Sequence, residues 1–237
     1  MNPVIVALDV DSGARALQLA DQLRGAVGAV KVGSRLFTAE GPDLVKRLVG
    51  LGHRVFLDLK FHDIPNTVAQ AVESAVATGA WMVNVHASGG VPMMRAAAAA
   101  GAETAAKLGV PKPLVIAVTV LTSMDAATLA SVGVTRDLNA HVEALARLTQ
   151  EAGLDGVVAS PLETPAIRAA CGPGFVIVTP GIRGASAGAS RDDQHRTLAP
   201  AEALRAGSTC LVIGRPIIGA PDPRAAAETI AAELARA

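Results

Sequence analysis

The sequence predicts an α/β protein of one domain, a (β/α)8 TIM barrel spanning residues 1–237. Three observations lead there. Eight apolar runs alternate with eight stretches of helical periodicity, in about the length such a barrel requires. The runs show little polar alternation, as expected of parallel strands covered by helices. Asp9, Lys31, Asp58, Lys60, His86, Ser123, Pro180 and Arg215 all fall at or just beyond the C-terminal ends of the runs, the rim from which barrel enzymes build their sites. A doubly wound open sheet is the alternative on pattern alone. No linker or shift of composition marks a second domain.

Taken in order, residues 4–8 form a short apolar strand ending at Asp9, and 14–23 follow with apolar residues at helical spacing. A strand over 29–32 carries Lys31 and leads through Gly33-Ser34-Arg35 to a helix near 42–51. The third strand, 54–60, is followed by a helix from about 65 to 78, with Pro65 suited to its first turn. Its Val68, Ala71, Val72, Ala75 and Val76 share one face. Strand 81–85 precedes an alanine-rich helix at 92–108, and strand 114–120 precedes a helix at 136–152. Strand 156–159 pairs with helix 163–170, and strand 175–179 with a helix near 200–206. Strand 210–213 and helix 223–235 close the series.

Composition excludes several functions. Twenty-one basic residues balance 21 acidic ones, so nothing favours nucleic acid or an anionic membrane as partner. Four Phe, one Trp and no Tyr are too few for a base-stacking surface. Cys171 and Cys210 fit free thiols in a reducing cytoplasm better than a disulfide framework. The first residues lack the basic region of a signal peptide, and no apolar run approaches the ~18 residues of a membrane span. A soluble, cytoplasmic protein is expected. His53, His62, His86, His141 and His195 are scattered without metal-binding spacing, and no GxGxxG follows the first strand. Neither a metal nor a dinucleotide cofactor has a motif.

The third strand and the turn after it concentrate charge. Side chains alternate along a strand, so Asp58 and Lys60 share a face while Leu57 and Leu59 take the other. Buried charges are costly unless paired, and such a pair at a strand end invites a functional reading. The plainer alternative is a structural ion pair, with Asp63 as a helix cap. With Lys31 and Asp9 nearby, ammonium and carboxylate groups alternate, each holding its neighbours charged. A lysine flanked by carboxylates has its pKa raised. It suits proton donation, whereas a Schiff-base nucleophile needs the opposite shift. Farther on, Thr179-Pro180-Gly181-Ile182-Arg183-Gly184 and Gly214-Arg215-Pro216 follow strands seven and eight, where barrels commonly hold phosphate. Glycine admits close backbone approach and Arg215 offers a charge-assisted contact. The small-residue loop over 184–190 reads as a lid beside that site.

The run Asp58-Leu59-Lys60-Phe61-His62-Asp63-Ile64-Pro65-Asn66-Thr67 matches the DxKxxDIxxT signature of the orotidine 5′-phosphate decarboxylase family. The resemblance extends to Ala7-Leu8-Asp9, Lys31-Val32-Gly33, Leu121-Thr122-Ser123, Thr179-Pro180-Gly181-Ile182-Arg183, Gln194 and Ile213-Gly214-Arg215, spanning nearly the whole chain in the family's order. It implies a cofactor-free decarboxylation of orotidine 5′-phosphate to UMP, the last step of de novo pyrimidine synthesis. By resemblance, Lys60 protonates C6 as CO2 leaves, Asp58 lies against the substrate carboxylate, and Lys31 joins the charge network and contacts the ribose. Asp9 then binds ribose hydroxyls, Thr122-Ser123 meets the pyrimidine edge, and Arg183, Gln194, Gly214 and Arg215 hold the phosphate. Ile64 and Pro180 are further expected substrate contacts. Asp63 and Thr67 are expected to reach the neighbouring subunit's site, which makes the active unit a homodimer. Rivals are a Mg2+-using relative such as a 3-keto-gulonate 6-phosphate decarboxylase, a Schiff-base aldolase, and a catalytically silent phosphate-binding barrel. The DIPNT continuation argues against the first, the carboxylates around Lys60 against the second, and the costly charge array against the third.

Overall fold

Eight parallel strands close on themselves in sequence order, the last pairing with the first, in a computed structural model that describes residues 2–182 and 198–236. The first half runs β1 (Val4–Ala7), α1 (Gly13–Leu23), β2 (Ala29–Gly33), α2 (Ser34–Glu40), α3 (Pro42–Gly50), β3 (Val55–Phe61), α4 (Pro65–Val76) and β4 (Met82–His86). After a 3-10 turn at Ala87–Gly89 come α5 (Gly90–Leu108), β5 (Leu114–Val118), α6 (Ala126–Ser131), α7 (Leu138–Glu151), β6 (Gly156–Val158) and α8 (Thr164–Cys171). The chain ends with β7 (Val176–Thr179), α9 (Pro200–Arg205), β8 (Cys210–Ile213), α10 (Arg215–Ile218) and α11 (Pro223–Leu234). The barrel is the predicted one. The open-sheet alternative fails because β1 pairs with both β2 and β8. The short helices α2, α6 and α10 are additions to the eight expected.

Local signals explain the helix starts. Ser12, Asp137 and Asp222 each accept a backbone N–H from the first turn of α1, α7 and α11, satisfying groups that have no partner within a helix. Helix α4 has no such cap. Proline at its start fixes the backbone instead. Asp63 is therefore not its cap: the Asp63 carboxylate accepts the N–H of Ile64, one residue along, at 2.6 Å.

Two apolar layers hold the fold. The outer one lies between strands and helices and includes Leu19, Leu48, Val83, Val115 and Ile167. The inner one fills the barrel with Ile5, Ala29, Phe56, Met82, Ile116, Val178 and Cys210. Burying one large apolar side chain contributes about 1.5–3 kcal/mol, so Phe56, Met82 and Ile116 make a substantial floor. No helix among the described residues is long and apolar enough to cross a membrane.

Candidate active site

The site stands two residues above that floor. A period of two puts Lys31 above Ala29 on β2, Asp58 above Phe56 on β3 and Asn84 above Met82 on β4, all on the interior face. The barrel interior thus changes from an apolar tier to a polar one within a single step of each strand. Beyond β1, Asp9 reaches back toward the polar tier.

The charges alternate as expected. The Lys31 ammonium lies 3.3 Å from Asp9 Oδ1 and 3.2 Å from Asp58 Oδ2. The Lys60 ammonium lies 2.7 Å from Asp58 Oδ1. Lys31 and Asp58 are buried, whereas the Lys60 side chain is 33% exposed and that of Asp9 62% exposed. Lys60 is therefore the ammonium at the open side of the array. Gly33 makes room for this geometry, since a Cβ there would sit 3.0 Å from Lys31 Nζ.

Burial by itself would neutralise Lys31, but Asp58 and then Asp9 outweigh it and raise its pKa above the usual lysine value. Burial likewise opposes an ionised Asp58. Lys31, Lys60 and hydrogen bonds from Lys60 and Asn84 outweigh it and hold the carboxyl below the usual carboxylate range. Both groups stay charged across neutral pH. His86, at the end of β4, faces His62 at 5.5 Å between ring centroids. Burial, then His62 and Lys60, lower its pKa against the opposing pull of Asp58, so its imidazole is neutral at pH 7.

Lys60 reaches Asp58 by an irregular path. The β3–β4 register shifts between Leu57 and Phe61, and Lys60 has φ 54°, the left-handed region that side chains other than glycine rarely adopt. Its backbone N–H is taken by Asn84 Oδ1 at 2.8 Å, and Asn84 Nδ2 donates to Asp58 Oδ1 at 2.7 Å. Asn84 was not among the residues singled out from sequence. The available signal was a polar amide inside the apolar run Met82-Val83-Asn84-Val85-His86, in phase with the interior face.

The remaining expected site residues are placed variously. Asp63, Ile64 and Thr67 are exposed around the start of α4, and Asp63 forms no ion pair with a described residue. The array within one subunit is thus Asp9–Lys31–Asp58–Lys60, without Asp63, whose carboxylate accepts the Ile64 N–H instead. Thr122 is half-buried and Ser123 exposed in the segment after β5. Pro180 and Gly181 follow β7, with Gly181 at φ 78°, the left-handed turn that its lack of a side chain permits. Gly214 caps α10 beside Asp9, whose Oδ2 would lie 3.9 Å from a Cβ at that position, and Arg215 opens the helix on the exposed side. Arg183, Gln194 and the loop 184–190 lie outside the described residues. Among the described residues, no group of three or more His, Cys, Asp or Glu side chains converges as a metal ligand set would.

The chain is similar to known proteins over nearly its whole length. The family model described as orotidine 5′-phosphate decarboxylase / HUMPS family matches residues 2–230. An orotidine 5′-phosphate decarboxylase of Moorella thermoacetica is 57% identical over 98% of this chain and 91% of its own length. One from Paramagnetospirillum magneticum is 52% identical over 99% of both chains. The crystal structure of orotidine 5′-phosphate decarboxylase from Lactobacillus acidophilus superposes with a TM-score of 0.86 at 36% identity, covering 99% of each chain. A barrel of this topology, with its charged tier on β2 and β3 and full-length similarity to these proteins, belongs to the orotidine 5′-phosphate decarboxylase / HUMPS family.

Proposed function

We propose that this chain is a carboxy-lyase that converts orotidine 5′-phosphate to UMP, the last step of de novo UMP synthesis, without a cofactor and with Lys60 as the proton donor. Family membership and the decarboxylase relatives support the overall reaction. The observation that carries the mechanism is the unequal burial of the two lysines. Lys31 is enclosed between Asp9 and Asp58, while Lys60, fixed on Asp58 at 2.7 Å, remains open to an incoming ring.

The bond between C6 and the carboxylate carbon breaks, CO2 leaves, and the electron pair stays at C6. The Lys60 ammonium stabilises that developing charge and then transfers its proton to C6, becoming a neutral amine that solvent reprotonates. Asp58 serves twice: it holds the ammonium in place and faces the departing carboxylate with like charge. Asp9 and Lys31 engage the ribose, Thr122 or Ser123 the pyrimidine edge, and Ile64 and Pro180 further parts of the substrate. Gly214 and Arg215, with Arg183 and Gln194, hold the phosphate. Phosphate binding energy gained far from C6 is expressed in the transition state.

The active unit is a homodimer in the cytoplasm, with Asp63 and Thr67 serving the neighbouring site. Their exposure at the start of α4 supports that role, since it leaves both side chains open to a neighbouring subunit. Purified protein should consume orotidine 5′-phosphate, read as loss of orotate absorbance, with EDTA present. Absence of turnover would sink the proposal, and dependence on added Mg2+ would point to the metal-using relatives. Mixing Lys60→Ala with Asp63→Ala subunits should restore one intact site per heterodimer. A mixture no more active than its parents would remove the shared-site assignment.

A further inference from the structure

We infer that Asn84 is the positioning residue that sets Lys60 against Asp58, one side-chain amide fixing the lysine's backbone and the carboxylate's orientation together. This rests on the reading of Lys60 as proton donor and extends it to the group that aims it.

Three hydrogen bonds close a ring. The Lys60 N–H donates to Asn84 Oδ1 at 2.8 Å, Asn84 Nδ2 donates to Asp58 Oδ1 at 2.7 Å, and the Lys60 ammonium donates to that same oxygen at 2.7 Å. The lysine's own main chain and side chain complete the circuit. The partners fix the amide's orientation. Reversed, its NH2 would face the Lys60 N–H and its oxygen the carboxylate, losing both bonds. Asn84 is fully buried, and the residue two positions before it on the same face, Met82, is apolar. An amide here therefore answers specific partners rather than filling space.

The backbone makes the clamp necessary. Lys60 is the one non-glycine residue among the described ones with positive φ, at a point where the β3–β4 register slips. Such a conformation persists where surrounding groups over-determine it. The Asn84 oxygen supplies the acceptor for the Lys60 N–H at the slip. Without it, the lysine backbone is free to relax toward extended geometry, carrying the ammonium away from Asp58. The Lys31 and Lys60 ammonium groups also favour an ionised Asp58, with Asp9 behind Lys31 and His86 within electrostatic reach, so loss of the amide donor removes one of several groups favouring its ionised form.

Two variants separate this role from plain packing. Asn84→Ala should lower kcat by about 10–100-fold, the range for losing an outer hydrogen bond that orients a functional group, with UMP affinity unchanged. In Asn84→Asp the new carboxyl faces Asp58, and the two share a proton at low pH. Its O–H then replaces the amide donor while its other oxygen still accepts the Lys60 N–H. Activity should recover on the acidic side and fall as that proton leaves. Independently of turnover, the Asp58 carboxyl followed by 13C NMR should titrate at higher pH in Asn84→Ala than in the unaltered protein. An unshifted Asp58 titration, or an Asn84→Asp pH profile matching wild type, would overturn the inference. If the unaltered protein shows no turnover, the proposed reaction fails and the titration still decides the role of Asn84. If Asn84→Ala does not fold, the Asn84→Asp activity profile decides it.

Discussion

Replacing Lys31 by methionine, Asp58 by asparagine, and both together measures how the charged tier is held. At the 3.2 Å separation of Lys31 and Asp58, the gross attraction is about 5 kcal/mol at an effective dielectric of about 20. Desolvation of both groups offsets much of that, so the coupling read from the cycle should be about 2–3 kcal/mol. The single changes should differ. Lys31→Met leaves Asp58 with Lys60 and Asn84, each at 2.7 Å, and should cost about 3 kcal/mol. Asp58→Asn leaves the Lys31 ammonium enclosed with Asp9 alone, whose side chain is 62% exposed, and should cost more, toward about 5 kcal/mol. Urea unfolding of the four proteins gives these values, with an unchanged slope confirming that the native state is comparable. Additive costs within about 0.5 kcal/mol, or a larger loss for Lys31→Met, would refute a tier stabilised by this pair.

The same tier sets a pH window for stability. Asp58 titrates below its ordinary 3.8, so its contribution is present above that value and is lost as pH falls through the folded pKa. Lys31 titrates above 10.5, so its contribution is present below that value and is lost as pH rises through the folded pKa. Stability measured from pH 5 to 9 should therefore show no step from this pair, and Lys31→Met should remove the alkaline limb. Beneath the tier, Phe56→Ala should cost about 3–5 kcal/mol by opening a cavity in the barrel floor, read by thermal or urea unfolding. A loss under about 1 kcal/mol would mean the floor does not support β3 as described.

The eight strands were legible because each is a short apolar run bounded by turn residues and followed by helical periodicity. The rim was legible because reactive residue types gathered where those runs end. The short helices were not. α2, α6 and α10 have seven, six and four residues, too short to carry a periodic signal, and each contributes one buried apolar side chain: Leu36, Leu129 and Ile217. Alternation correctly paired Asp58 with Lys60, but the left-handed backbone at Lys60 had no cue, since no glycine marks it. The cap alternative for Asp63 rested on the preference of acidic residues for that position. Pro65 starts α4 without one and leaves Ile64 at the cap. Asn84 was hidden because its partners, Asp58 and the Lys60 N–H, lie 26 and 24 positions away.

In the proposed mechanism Lys60 delivers the proton to C6. Lys60→Ala should bind UMP while turning over orotidine 5′-phosphate at least about 10⁴-fold more slowly, since it loses both the acid and the charge that stabilises the carbanion. Calorimetric UMP titration beside a single-turnover assay measures both quantities on one preparation. Retained UMP binding with turnover abolished is the predicted result; turnover close to that of the unaltered protein would rule out Lys60 as the proton donor.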